Sequence, residues 1–205
     1  MPHSHRILFK HETYFRQYLD WLDQQKDTNP AARQVTIIAL SPLSPVIQAM
    51  CAMREFLSAR QVCVQVVFSD VDPERALGSA WEVISDLSKG REHGELIRWA
   101  SSQEILEAHE QMILGQHMCW LGDSMRREPG RRDGFDIFDM DAPHTCRLGV
   151  QSFAAMWKFA KPVPNWLVRE ASERRSNVTF AGSDPRVLAT LSFFRQLENP
   201  DNLCH

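Results

Sequence analysis

The sequence has no run approaching the roughly 18 apolar residues of a membrane-spanning helix, so a helical membrane protein is excluded. Its first residues, Met-Pro-His-Ser-His-Arg, lack the apolar stretch of a secretory signal. A cytoplasmic protein is the expectation. No CxxC or CxxH pair occurs, and the five cysteines (Cys51, Cys63, Cys119, Cys146, Cys204) are scattered and odd in number. That spacing argues against a zinc site or a disulfide framework and for reduced, mostly buried thiols. Neither a metal nor a cofactor is expected. There is no excess of positive charge: the net charge of −3 gives no field for a polyanion. Nucleic acid is therefore a partner that the overall charge does not support. Dinucleotide and P-loop glycine motifs are absent, and the turn after the first predicted strand, Ser41-Pro-Leu-Ser-Pro45, spends two positions on prolines that have no N–H for a phosphate. No Gly-x-Ser-x-Gly elbow is present. Gly122-Asp-Ser124 echoes an esterase motif but lies mid-chain, where such motifs do not usually fall. Repeats and low-complexity segments are also missing.

What is present reads as an α/β domain. Hydrophobic residues make up 43% and charged residues 24% of 205 positions, enough to bury one sizeable core. Tyr14, Phe15, Tyr18, Leu19 and Leu22 recur at helical spacing, which predicts an amphipathic helix in a lead-in spanning 1–33. Val35–Leu40 and Val62–Phe68 are short apolar runs rich in β-branched residues, as in strands buried on both faces. A helix predicted over Pro45–Ala59 joins them into a βαβ unit with parallel strands. A further helix should start at Asp72-Pro73, and Leu96–Trp99 is a weaker strand. Two short apolar strands then flank a turn at Gly115-Gln116, with His109 opening the first and Gly122-Asp-Ser124 closing the second. Phe135–Asp139 alternates with period two, as a strand with one wet face does. A helix over Leu148–Ala160 follows, His144 before it reads as a turn residue, and a last helix begins near Ser183-Asp-Pro185. The predicted core is Val35, Ile37, Ile38, Val64, Val66, Phe68, Ile113, Trp120, Phe153 and Trp157.

His109 is the first candidate for chemistry, because imidazole titrates near neutral pH and a strand end projects side chains from a sheet. For a lone histidine a purely structural role is the ordinary alternative. The order of the segments adds to it: βαβ, His109-Glu-Gln111, Trp120-Leu-Gly122-Asp-Ser124-Met125, Asp133-Gly-Phe-Asp136, then Phe153-Ala-Ala-Met-Trp157. This layout, covering most of residues 33 to 161, resembles the phospholipase D superfamily with its His-x-Lys, downstream Asp and Gly-Ser-x-Asn. The resemblance implies a sandwich of helices about a mixed, mainly parallel sheet, formed here by 34–162, with 163–205 a C-terminal helical extension. It also implies metal-free phosphoryl transfer, one histidine attacking phosphorus and a second protonating the leaving oxygen. One motif per chain implies a homodimer whose two-fold axis brings both copies of His109 to a shared cleft.

The departures from that pattern concern the charged groups. Gln111 stands at the lysine position, Gly115 or Gln116 at the aspartate position, and Met125 where an asparagine would donate. Asp123 adds a negative charge beside the motif. Loss of one preorganised donor costs about 2.7–4 kcal/mol of transition-state stabilisation. The expectation is a phospholipase D-like protein with a degenerate motif, non-catalytic, that binds a phosphate-containing ligand or serves as a homodimeric scaffold. Gln111, Ser124, Arg126 and Arg127 are its candidate ligand-binding residues, since guanidinium groups form forked contacts with phosphate. Arg131 and Arg132 extend the basic loop, whose bland reading is a solvated surface. The alternatives are a phosphodiesterase that uses His109 as nucleophile across the dimer interface, and a structural subunit of a larger assembly.

Overall fold

The computed structural model describes residues 3–25, 29–69, 96–100, 109–122 and 136–163, with side chains from Lys10 onward. Its elements are α1 (His3–Gln24), a 3-10 turn (Pro30–Arg33), β1 (Gln34–Ala39), α2 (Pro45–Ala52), α3 (Arg54–Ala59) and β2 (Cys63–Phe68). Then come β3 (Ile97–Trp99), β4 (Glu110–Leu114), β5 (Met118–Gly122), β6 (Asp136–Asp139), α4 (Pro143–Phe159) and β7 (Lys161–Pro162). The seven strands form one sheet in the order β6-β5-β4-β1-β2-β3-β7.

The β-branched run of β1 lies at the centre, between β2 and β4, and all its residues after Gln34 are buried. The α2–α3 crossover brings β2 alongside it in parallel, pairing Val35 with Val64 and Ile37 with Val66. The sheet is mixed, but the expectation of a mainly parallel one is corrected. Only β1–β2 and β2–β3 run parallel, while β1–β4, β4–β5, β5–β6 and β3–β7 are antiparallel. The reason is connectivity. A parallel neighbour needs a long crossover, whereas the tight turn after Leu114 reverses the chain at once. Gly115 makes that turn with φ of +61°, and its N–H donates to the Gln34 carbonyl at 2.9 Å. A Cβ there would lie 2.8 Å from the Ala32 carbonyl oxygen, so both torsion and space require glycine.

Helices pack on both faces of the sheet. On one, Tyr14, Phe15, Tyr18 and Leu19 of α1 join Val46, Ile47 and Met50 of α2 and Leu57 of α3 against Ile37, Val66, Phe68, Met112 and Trp120. Residues of the predicted lead-in thus supply one wall of the main core. On the other face Phe153 of α4 and Ala160, which caps its end, cover Ile38 and Val67, and Cys146 of α4 packs with Ile113 and Cys119. Trp157 is only half-buried against this second cluster; the other nine predicted core residues are buried.

Two helix boundaries differ from the sequence reading. The helix expected over 45–59 is broken at Met53, whose N–H bonds back to both Ala49 and Cys51 and whose side chain stays in the core. Helix α4 starts five residues before Leu148, with Pro143 in its first turn. Proline suits that position because the first helical N–H groups have no partner within the helix. His144 consequently sits in a helix and is exposed, a correction to its reading as a turn residue. The helices expected after Asp72 and Ser183 lie outside the described residues.

Candidate functional site

Strand β4 runs antiparallel to β1, so its first residue lies at the carboxyl end of β1, where the chain also enters the Ser41–Pro45 turn. His109 immediately precedes β4 at that end and is exposed. The next residue, Glu110, is 5% exposed, and its Oε1 accepts a hydrogen bond from the Leu40 N–H at 3.0 Å. This carboxylate anchors the exit from β1. The turn beyond it uses its own polar groups: Ser41 N–H donates to Ser44 Oγ at 3.1 Å, Leu43 N–H to Ser41 Oγ at 3.2 Å, and Ser44 N–H to the Ser41 carbonyl at 3.0 Å. Those amides are spent internally. The loop after β1 therefore offers no cradle of N–H groups to a phosphate, as its prolines suggested.

Gln111 is 7% exposed and its Nε2 donates to the Gly149 carbonyl of α4 at 3.2 Å. The helix comes close here because residue 149 has no side chain. A Cβ at Gly149 would stand 2.6 Å from Ile113 Cδ1 and 3.9 Å from Gln111 Oε1. The position where the resemblance calls for a lysine thus carries a neutral amide that clamps a helix to the sheet. Ser124, Arg126 and Arg127, with Asp123, Arg131 and Arg132, lie outside the described residues. Of the four ligand-binding candidates, Gln111 alone is described.

His117 does not join His109. It lies in the β4–β5 turn at the other end of β4, a five-residue strand or roughly 17 Å away, with its ring 5.3 Å from that of Trp21. At that end, a cavity of about 380 Å³ opens between the turn and the start of α4, with Gln116, His117, Pro143, Cys146 and Arg147 in its walls. It lies a strand length from His109.

Two further clusters were not foreseen. Asp136 accepts from Trp120 Nε1 at 2.9 Å and from Lys10 Nζ at 2.5 Å. Burial alone would raise its pKa, but these two hydrogen bonds hold the carboxyl below its usual range; the same contact raises Lys10. His11 completes the group, buried with its ring edge-on to Trp120 at 4.4 Å. The Lys10–Asp136 pair joins positions 126 residues apart, a separation at which no local pattern gives a signal. Cys119 and Cys146 form the second cluster, side by side under α4. The hydrogen bond from Cys146 lowers the Cys119 thiol against the effect of burial, and the same bond with burial pushes the Cys146 thiol up. Among the described residues, no group of three or more histidine, cysteine or acidic side chains could hold a metal ion, and no helix is long and apolar enough to cross a membrane.

No protein-family model and no curated protein matches this sequence. Among solved structures, the chain is similar to Nuc of Salmonella typhimurium, described as a phospholipase D family member. The identity is 14%, the match covers 71% of this chain and 88% of Nuc, and the TM-score is 0.44. A likeness this loose transfers no chemistry from one chain to the other.

Proposed function

We propose that this chain is a degenerate phospholipase D-like half-domain that works as a non-catalytic homodimeric protein, its two-fold axis bringing the His109 ends of two copies together. The observation that carries the non-catalytic part is Gln111. A phosphodiesterase of that design needs a cation two residues after its histidine, free to meet a phosphoryl oxygen. Here the residue is neutral, nearly inaccessible and hydrogen-bonded to Gly149. Replacing it by lysine would bury a charge against a helix carbonyl. Asp136, the acid on the strand that follows the motif, is likewise engaged by Lys10 and Trp120. The dimer rests on the single motif per chain. A phosphate-containing ligand at the His109 end fits the same reading, with Ser124, Arg126 and Arg127 as the groups to meet it.

The exposed position of His109 at a sheet end favours one second reading, a phosphodiesterase with His109 as nucleophile. Hydrolysis of bis-p-nitrophenyl phosphate and of single-stranded DNA by wild type, His109→Ala and Gln111→Lys separates the two. Negligible turnover in all three is expected, because residues of a catalytic unit act non-additively and one restored cation does not rebuild it. Robust wild-type turnover abolished by His109→Ala would establish the enzyme instead. Light scattering at micromolar concentration tests the dimer, and a monomer there would remove it. Crystals soaked in tungstate, inspected for an anion beside His109, test the ligand.

A further inference from the structure

The cavity at the start of α4 and the two cysteines beside it form a site of their own, at the opposite end of β4 from His109. Cys119 lies on β5 and Cys146 on the second turn of α4, and both are buried in one small apolar cluster with Ile113 and Ala142. Cys146 also forms part of the wall of the roughly 380 Å³ cavity. A molecule the size of hydrogen peroxide needs only a small fraction of that space. We infer that Cys119 and Cys146 are a reversible dithiol–disulfide pair, oxidised by hydrogen peroxide or a comparably small hydroperoxide admitted through this cavity.

The geometry makes the chemistry short. The two cysteines pack in the same four-residue buried cluster, and a disulfide would bring their Cβ atoms to about 3.8 Å across the seam between helix and strand. Cys119, the lowered thiol of the two, loses its proton first, and its thiolate takes the Cys146 proton as the Cys146 sulfur, which lines the cavity, attacks. Cys146 sulfur forms a bond to one peroxide oxygen, the O–O bond breaks, and hydroxide departs, taking a proton to become water. The product is a sulfenic acid on Cys146. Cys119 sulfur then displaces the sulfenic oxygen, which leaves as a second water with the pair's last proton. Two thiols are oxidised by two electrons, and one peroxide is reduced to two waters.

The bridge would staple β5 to α4 and close a loop of 28 residues, counted from Cys119 to Cys146. Closing a loop of that length raises the melting temperature by about 5–10 °C. The test treats the full-length protein with stoichiometric hydrogen peroxide, alkylates remaining thiols and maps the cysteines by non-reducing peptide mass spectrometry. A Cys119–Cys146 crosslinked peptide, with Cys51, Cys63 and Cys204 alkylated, is the expected result. It should disappear on dithiothreitol treatment, together with the rise in melting temperature. Cys119→Ser and Cys146→Ala should each abolish both. Wild-type protein in which both cysteines remain alkylatable, or end as separate sulfinic acids, overturns the inference, and so does pairing with any other cysteine. The wild-type map decides the matter even if a variant fails to fold.

Discussion

On one face of the sheet, α1, α2 and α3 bury Phe15, Tyr18, Ile47, Met50 and Leu57 against Ile37, Val66 and Trp120. On the other, among the described residues, α4 and its C-cap bring Phe153, Cys146 and Ala160 to Ile38, Val67, Ile113 and Cys119. The first face is continuous and aromatic, with buried His11 and the Lys10–Asp136 pair beside Trp120. The second falls into two small clusters and holds buried Gln111 and Thr36 among them. Apolar burial stabilises in proportion to area, so most of the folding energy is gathered under α1–α3. The face under α4 has less apolar area to lose, and it holds the paired cysteines Cys119 and Cys146. The larger apolar store and the cysteine pair thus lie on opposite sides of the sheet.

Truncation of Trp120 should break that asymmetry most severely. Its ring is 1% exposed and its Nε1 serves Asp136, so Trp120→Ala should lose about 3–5 kcal/mol, read as a large drop in the urea midpoint. If the loss were under about 1 kcal/mol, the face under α1 would not be the main store of stability.

On the α4 side the limiting feature is close approach rather than area. Gly149→Ala gains up to about 1 kcal/mol in helix propensity but drives a methyl into Ile113, which is β-branched and buried. A net loss of about 1–2 kcal/mol is expected, since overpacking of a filled site costs about 1–3 kcal/mol. Adding Ile113→Val removes the offending methyl and should recover most of that loss. A double-mutant cycle showing no coupling would place the contact elsewhere.

Trp157→Ala tests how peripheral the end of α4 is. The ring is half-buried, stacks on Phe153 and carries the Arg98 guanidinium 4.6 Å from its centroid. Arg98 keeps its backbone hydrogen bond to the carbonyl of residue 157 at 2.8 Å whatever the side chain. A loss of about 1–2 kcal/mol follows, clearly below that of Trp120. Equal losses at the two tryptophans would erase the difference between the faces.

The smallest effect is electrostatic and belongs to the α1 side. Asp136 titrates below its ordinary range when folded, so its contribution is present at neutral pH and fades as pH falls through that lowered value. Lys10 is nearly half exposed, and solvent screening limits the pair to about 1 kcal/mol or less. Asp136→Asn should lower stability slightly at pH 7 and flatten its decline on acidification, as measured by urea midpoints between pH 7 and pH 3. An unchanged acid limb would mean that another carboxylate governs it.

Much of the frame was legible in the chain. The β-branched runs of β1 and β2, the turn at Gly115 and the alternation of β6 each carry a period or a torsional need that depends only on near neighbours. Sheet polarity was less so, because whether a strand joins in parallel depends on the length and path of its connection, which apolar runs do not encode. The site was read least well. His109 and Gln111 were singled out by their order in a motif, but nothing local says that Gln111 spends its amide on Gly149, 38 residues on. Nor do scattered cysteines announce which two will meet. Cys119 and Cys146 come together only when α4 lies down across β5.

The margins of the sheet bear on how copies of this chain could associate. Of the described strands, β6 ends the order on one side with four residues and an aspartate at each end, and β7 ends it on the other with two residues, one of them Pro162. Charges repel a second strand edge, and a proline has no N–H to offer one. Neither margin invites another copy to continue the sheet. Open-ended, filament-like growth is thereby discouraged, while a closed pair meeting through strand ends and loops is left permitted.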